Sequence, residues 1–240
     1  MMNRFSHLDK RQKIALTAAS VVLLAILVVG GYLLFHQSAS NNANLTLWRE
    51  TQIDDATKAT LTQRIATTIA SIKAKPSDTS AVDLTNLYLS IANDSYILGD
   101  LATTRHYLEL ALNQNALMDT AWNMYGDVLN QMGDRAKAED AFKQAIQISP
   151  MIKYYMDYAA FLKQDSPARD ADRLADLQQA VTVLGQSTDL MVALAEYYND
   201  HSDCAESLAH YKVAVTLTPK NQAIKDDMAM VKSTCVQATQ

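Results

Sequence analysis

Four alanines frame this chain. Ala111, Ala145, Ala180 and Ala214 fall 34, 35 and 34 residues apart, and other residues keep the same period around them. Gly99-Asp100 recurs as Gly133-Asp134, while Tyr88, Ile91, Ala92 and Leu108 stand in register with positions one period later. A fixed period of this length marks a stack of helical pairs, none of which can bury its apolar face alone. Such a chain folds as an array in which each unit rests on its neighbours, rather than around a single centre.

In the unit where the pattern is clearest, each position has a physical reason. Trp122, Gly126, Leu129, Gly133-Asp134, Ala138, Phe142, Ala145 and Pro150 follow in order. Gly126 and Ala138 are small where two antiparallel helices approach, and Ala145 lets the next helix pack closely. Trp122 and Phe142 fill the gaps between helices. Gly133 permits a positive φ at the turn, and Pro150 stops the second helix. This pattern resembles the tetratricopeptide repeat, a helix-turn-helix unit of about 34 residues, with Tyr125 where leucine is usual. The resemblance implies an all-α solenoid with units at 85–118, 119–152, 153–187 and 188–221. The fourth unit carries Met191, Leu194, Ala195, Tyr198, Ser202-Asp203, Tyr211 and Pro219. The third departs most, with a long turn from Lys163 to Pro167, Leu177 at the aromatic position and Gly185 in place of the closing proline. Leading helices are expected over 54–84, the first carrying Leu61, Ile65, Ile69 and Ile72 at helical spacing. A capping helix and tail follow at 222–240, with Ile224, Met228, Val231 and Cys235 on one stripe to shield the last apolar face.

Ahead of the repeats, residues 14–35 form a 22-residue run without a charge. As a helix rising about 1.5 Å per residue, it matches the roughly 30 Å hydrocarbon core of a bilayer. Arg4, Lys10, Arg11 and Lys13 precede it against one acid, Asp9, and the next basic side chain is Arg49. The bias places the segment 1–13 in the cytoplasm and the repeats outside it, on a single-pass anchor in the cell membrane. Tyr32 near the outer end suits an interfacial position, and residues 36–53 read as a linker. The alternative is a signal peptide cleaved near Ser40, after the small residues Ser38-Ala39-Ser40, which would release a secreted protein.

Composition excludes several classes. The chain has 240 residues, a formal charge of −5 and 49% hydrophobic residues, so it can bury a core and gives no sign of a nucleic-acid-binding face. Six glycines leave little room for a phosphate-binding loop, and two cysteines exclude a multi-cysteine zinc domain. His201-x-x-Cys204 has ligand-like spacing but supplies only two ligands, and reads as surface residues around a turn. Asp165, Asp170, Asp172 and Asp176 lack the glycine and spacing of a calcium loop and read as a solvated helix start. No nucleophile, metal set or cofactor loop is visible, so the expectation is a binding protein without a cofactor, not an enzyme.

The resemblance implies an inner groove lined by the first helix of each unit. By register, Asn93, Tyr96, Asn123, Asp127, Asn130, Asp157, Phe161, Val192, Glu196 and Asn199 face it. Asp127, Asp157 and Glu196 favour a basic or amide-rich protein or peptide partner. Beyond residue 35 stand 17 basic and 25 acidic residues, a net charge of −8, which steers the domain toward cations. The lysine/asparagine clamp with which some family members hold a terminal carboxylate is not matched. The implied scaffold or assembly role resembles that of bacterial membrane proteins of secretion, envelope assembly or cytochrome maturation; oligomeric state stays open. In the implied hairpin, Cys204 lies 15 residues before Pro219 and Cys235 lies 16 after it, at one level of two antiparallel helices. They read either as a disulfide or as two buried free thiols.

Overall fold

The computed structural model describes residues 46–74 and 80–237. The expected membrane run 14–35 lies outside them. Among the described residues no helix is long and apolar enough to cross a membrane. Ten helices follow one another there: α1 Asp55–Lys73, α2 Ala81–Leu98, α3 Leu101–Gln114, α4 Asp119–Met132, α5 Arg135–Ile148, α6 Ile152–Lys163, α7 Asp170–Leu184, α8 Thr188–Asp200, α9 Cys204–Leu217 and α10 Gln222–Gln237. Each helix packs on the next. The first helices of successive units also touch, α4 on α6 and α6 on α8, so these form the inner face of an all-α solenoid.

The helix ends follow from their residues. Asp54, Ser80, Asp100 and Asp203 cap the starts of α1, α2, α3 and α9 by accepting hydrogen bonds from the backbone N–H three residues on. Gly99 and Gly133 end α2 and α4 in the left-handed region, at φ 85° and 94°, which a residue bearing Cβ adopts only with strain. At Gly99 the backbone also comes close: an added Cβ would lie 2.3 Å from the Arg49 carbonyl oxygen.

Packing explains the period. Ala111, Ala145, Ala180 and Ala214 are each 0% exposed, so a side chain even one methyl group larger has no room at these crossings. Gly126 meets the Phe142 ring so closely that a Cβ would stand 2.9 Å from it. Phe142 in turn lies 5.5 Å from Phe161 and 6.3 Å from Tyr158, centroid to centroid, joining the second unit to the third. On the cap, Ile224 and Val231 are buried and Met228 and Cys235 pack with them. Cys204 and Cys235 are joined as a disulfide with Cα atoms 5.9 Å apart, which ties α9 to α10.

Two regions differ from the sequence-based expectation. Residues 46–53 are not a free linker. Thr46 N–H donates to the Met132 carbonyl, Ala102 N–H to that of Leu47 and Arg49 N–H to that of Gly99, at 2.9, 3.2 and 3.0 Å. The segment thus crosses the turns of the first two units and satisfies carbonyls that a helix end leaves open. The acids of the third unit are not a solvated helix start either. Asp165 pairs with Arg135 at 2.5 Å and Asp172 with Arg169. Asp170 is buried and accepts from Ser166 Oγ and meets His201 Nε2, at 3.0 and 2.9 Å, so His201 is not a bare surface residue. Burial pushes the Asp176 carboxyl up to about 7, and its Oδ2 has no hydrogen-bond partner among the described residues. These contacts hold a turn at 164–169 that has no glycine to shape it.

Candidate binding groove

The first helices put one side chain per turn on the concave face, and the units are offset so that facing residues meet across helices. A cavity of about 650 Å³ opens there between α2, α4 and α6. Of the sequence-predicted groove residues, Asn93, Tyr96, Asn123, Asp127, Asn130, Asp157 and Phe161 line it. Val192 and Glu196 line a second cavity of about 560 Å³ further along, between α6, α8 and the start of α10. Asn199 is exposed and lines neither.

Within the first cavity the predicted residues are mostly engaged with one another. Asp127 accepts from Tyr96 Oη at 2.5 Å and from Gln131 Nε2 at 2.8 Å. Burial, and then the Asp127 carboxylate, push the Tyr96 phenol up from its ordinary range. Asp157 accepts from Asn123 Nδ2 at 2.6 Å and from Lys153 Nζ at 2.5 Å. Asn130 Oδ1 accepts from Arg135 at 2.8 Å. Asn123 is 6% exposed with its Oδ1 unpartnered among the described residues, and Phe161 is 2% exposed beneath the Arg135 guanidinium, which lies 4.3 Å from its ring centroid. Phe161 is therefore floor and core rather than a free contact. The expected basic preference also changes place: Asp127 and Asp157 already have partners, and of the three acids Glu196 alone is left open among the described residues.

Sequence reasoning missed several lining residues. Met124, Met151, Ala160 and Tyr154 shape the first cavity. Burial, followed by a hydrogen bond with Asp119, pushes the Tyr154 phenol up to about 12. Lys153 was findable, since it precedes Asp157 by one helical turn. Arg49 carried no signal. Its guanidinium lies 3.9 Å from the Tyr96 ring centroid, donates to the Tyr96 carbonyl at 2.6 Å and reaches Gln131 Oε1 at 3.2 Å. Chemically the face offers amide and carboxylate hydrogen bonding over apolar floor. Among the described residues no three His, Cys, Asp or Glu side chains are grouped to hold a metal ion.

Comparison with known proteins agrees with this architecture. Residues 119–150 match the family described as the tetratricopeptide repeat. A crystal structure of MamA aligns with a TM-score of 0.56 at 14% identity, over 72% of this chain and 99% of that one. MamA from Desulfovibrio magneticus RS-1, residues 41 to the end, aligns at 0.51 with 17% identity, over 65% and 90%. TTC0263, a thermophilic tetratricopeptide-repeat protein of Thermus thermophilus, aligns at 0.50 with 15% identity, over 72% and 92%. At these identities the likeness concerns the fold alone. No curated protein sequence matches the chain. Residues 119–150 thus match a tetratricopeptide repeat, and the solenoid around them is similar in fold to the solved tetratricopeptide-repeat protein TTC0263.

Proposed function

We propose that this protein is a membrane-anchored scaffold that captures a partner polypeptide in the concave groove of its repeats. The observation that carries the reading is the cavity of about 650 Å³ built by first helices of successive units, with amide, carboxylate and methionine side chains around an aromatic floor. A groove of this kind suits an extended polypeptide, because it offers apolar contact along its floor and hydrogen bonding along its walls. No chemistry beyond binding is assigned to it.

The uncharged run 14–35, with the basic residues before it, supports an anchor whose N-terminus is cytoplasmic and whose repeats lie on the other side. Anchoring confines the groove to a plane and raises its effective concentration near membrane-bound partners. The net charge of −8 beyond residue 35 favours cationic partners over anionic lipid headgroups.

A photo-reactive residue at Asn93 or Ala160, both exposed in the first cavity, tests the groove in native membranes. Gln144 on α5, an exposed position outside the groove, is the control. A discrete adduct from the groove positions and none from Gln144 supports the reading. Equal labelling from both faces, or adducts from Gln144 alone, overturns it. Release of the full chain from membranes by alkaline carbonate would remove the anchor.

A further inference from the structure

The two cavities of the concave face differ in the state of their charges. In the first, each carboxylate is engaged within the chain: Asp119 with the Tyr154 phenol, Asp127 with Tyr96 and Gln131, Asp157 with Lys153 and Asn123. In the second, Asp189 and Glu196 are exposed, and no described residue forms an ion pair or hydrogen bond with either carboxylate. The cavity's single lining cation among the described residues, Lys153, is already held by Asp157. Ile152, Met156, Val192 and Ile224 add apolar surface to the same cavity.

Asp189, Val192 and Glu196 sit at i, i+3 and i+7 of α8, which places them on one stripe. At about 1.5 Å of rise per residue, the two carboxylates are separated by roughly 10 Å along the helix. A polypeptide in the extended polyproline II conformation advances about 3.1 Å per residue with about three residues per turn, so side chains three residues apart lie on one face and cover about the same distance. Lysine and arginine combine an apolar stem with a charged tip and fit a floor of this kind rimmed by acids.

We infer that the second cavity receives a basic segment of the partner polypeptide, with one lysine or arginine stem on Val192 and its head group at Glu196, and a second positive charge three residues away answering Asp189. The inference rests on the groove reading and specifies its ligand. Cap residue Ile224 supplies part of the floor, so the last helix has a binding role as well as a shielding one.

The test uses the full chain in detergent and three fluorescein-labelled extended dodecapeptides of leucine and serine, carrying two lysines, two glutamines or two glutamates spaced three apart. Fluorescence anisotropy should rank lysine tightest and glutamate weakest, with the order compressed by salt. Each of E196Q and D189N should weaken the lysine peptide about 2–5-fold, the range of exposed ion pairs, and leave the glutamine peptide unchanged. D140N, on an exposed carboxylate of α5, should change neither, and circular dichroism verifies that the variants fold. Equal binding of lysine and glutamine peptides, no binding of any peptide, or an equal loss in D140N overturns the basic pocket. If the Ala160 adduct persists in that case, the groove reading stands without it; if the adduct is also absent, both fall.

Discussion

In the second repeat the turn is one glycine, Gly133 at φ 94°, and the hairpin closes with Gly126 against the Phe142 ring. In the third the turn runs through 164–169 and is held by side chains from both neighbours. Arg135 reaches forward to Asp165 at 2.5 Å, and Arg169 reaches back with both Nη atoms to Glu139 at 3.0 and 2.9 Å. That pair holds the Glu139 carboxyl down to about 2, with Arg169 as the chief cause. Arg173, 4% exposed, pairs with Asp200 at 3.0 Å, and buried Asp170 meets His201 of the fourth unit. One hairpin is encoded by its own backbone and packing. The other is completed by its neighbours, so the middle of the stack depends on both sides, as nearest-neighbour arrays do.

The contrast can be broken from either end. Phe142→Ala removes a ring that is 2% exposed and touches two units, and should cost about 3–5 kcal/mol in denaturant unfolding of the full chain. The cap offers a covalent comparison. Replacing Cys204 and Cys235 by serine, or reducing them, opens a loop with a sequence separation of 31 and should cost about 3 kcal/mol. Its effect should appear first as faster hydrogen exchange in α10. Arg173→Met keeps the stem but removes hydrogen bonding between charged groups, and should cost roughly 2 kcal/mol, less than the loss of Phe142. If Arg173→Met costs more than Phe142→Ala, packing is not the stronger of the two devices.

A gentler probe is pH. The folded Asp176 carboxyl, at about 7, lies above its unfolded value, so folding favours its protonated form. No penalty exists below about pH 4; it grows as pH rises toward 7 and is complete above it. Asp176→Asn should therefore stabilise the fold at pH 8 and leave stability at pH 3.5 unchanged, read as the difference between unfolding curves at the two pH values. His201 is raised above its unfolded value, first by its bond to the Tyr197 carbonyl and then by Asp170. Its contribution is full below about pH 6.5 and is lost as pH rises through the raised value. Hydrogen exchange in α7 should accelerate between pH 5.5 and 8 more than in α4 and α5, after correction for intrinsic rates. Uniform acceleration would show that the third unit has no special sensitivity.

The same contrast explains what was legible in the sequence. Ala111, Ala145, Ala180 and Ala214 could be read as close crossings because a position that admits only a small side chain leaves a periodic mark. Gly99 and Gly133 could be read as turns because few residues tolerate positive φ. Pairings such as Arg169 with Glu139 could not, since a surface arginine has many acids within reach and its choice depends on the assembled stack. Arg49 lay further out of reach, joined to Gln131 across 82 residues with no local pattern. The groove positions were legible as positions, through helical register, but not as free groups. Asn123 and Asp157 sit where register places them and are bonded to each other, with Asp157 also held by Lys153.

Everything proposed for the groove depends on the first helices of the units forming the binding face. Hydrogen–deuterium exchange of the full chain, free and linked to the polypeptide captured through Ala160, tests it most directly. Slowed exchange is expected in α4, α6 and α8 and at the start of α10, with α5, α7 and α9 unchanged. Protection concentrated in α5, α7 and α9 would contradict it and move the binding surface to the opposite side of the stack.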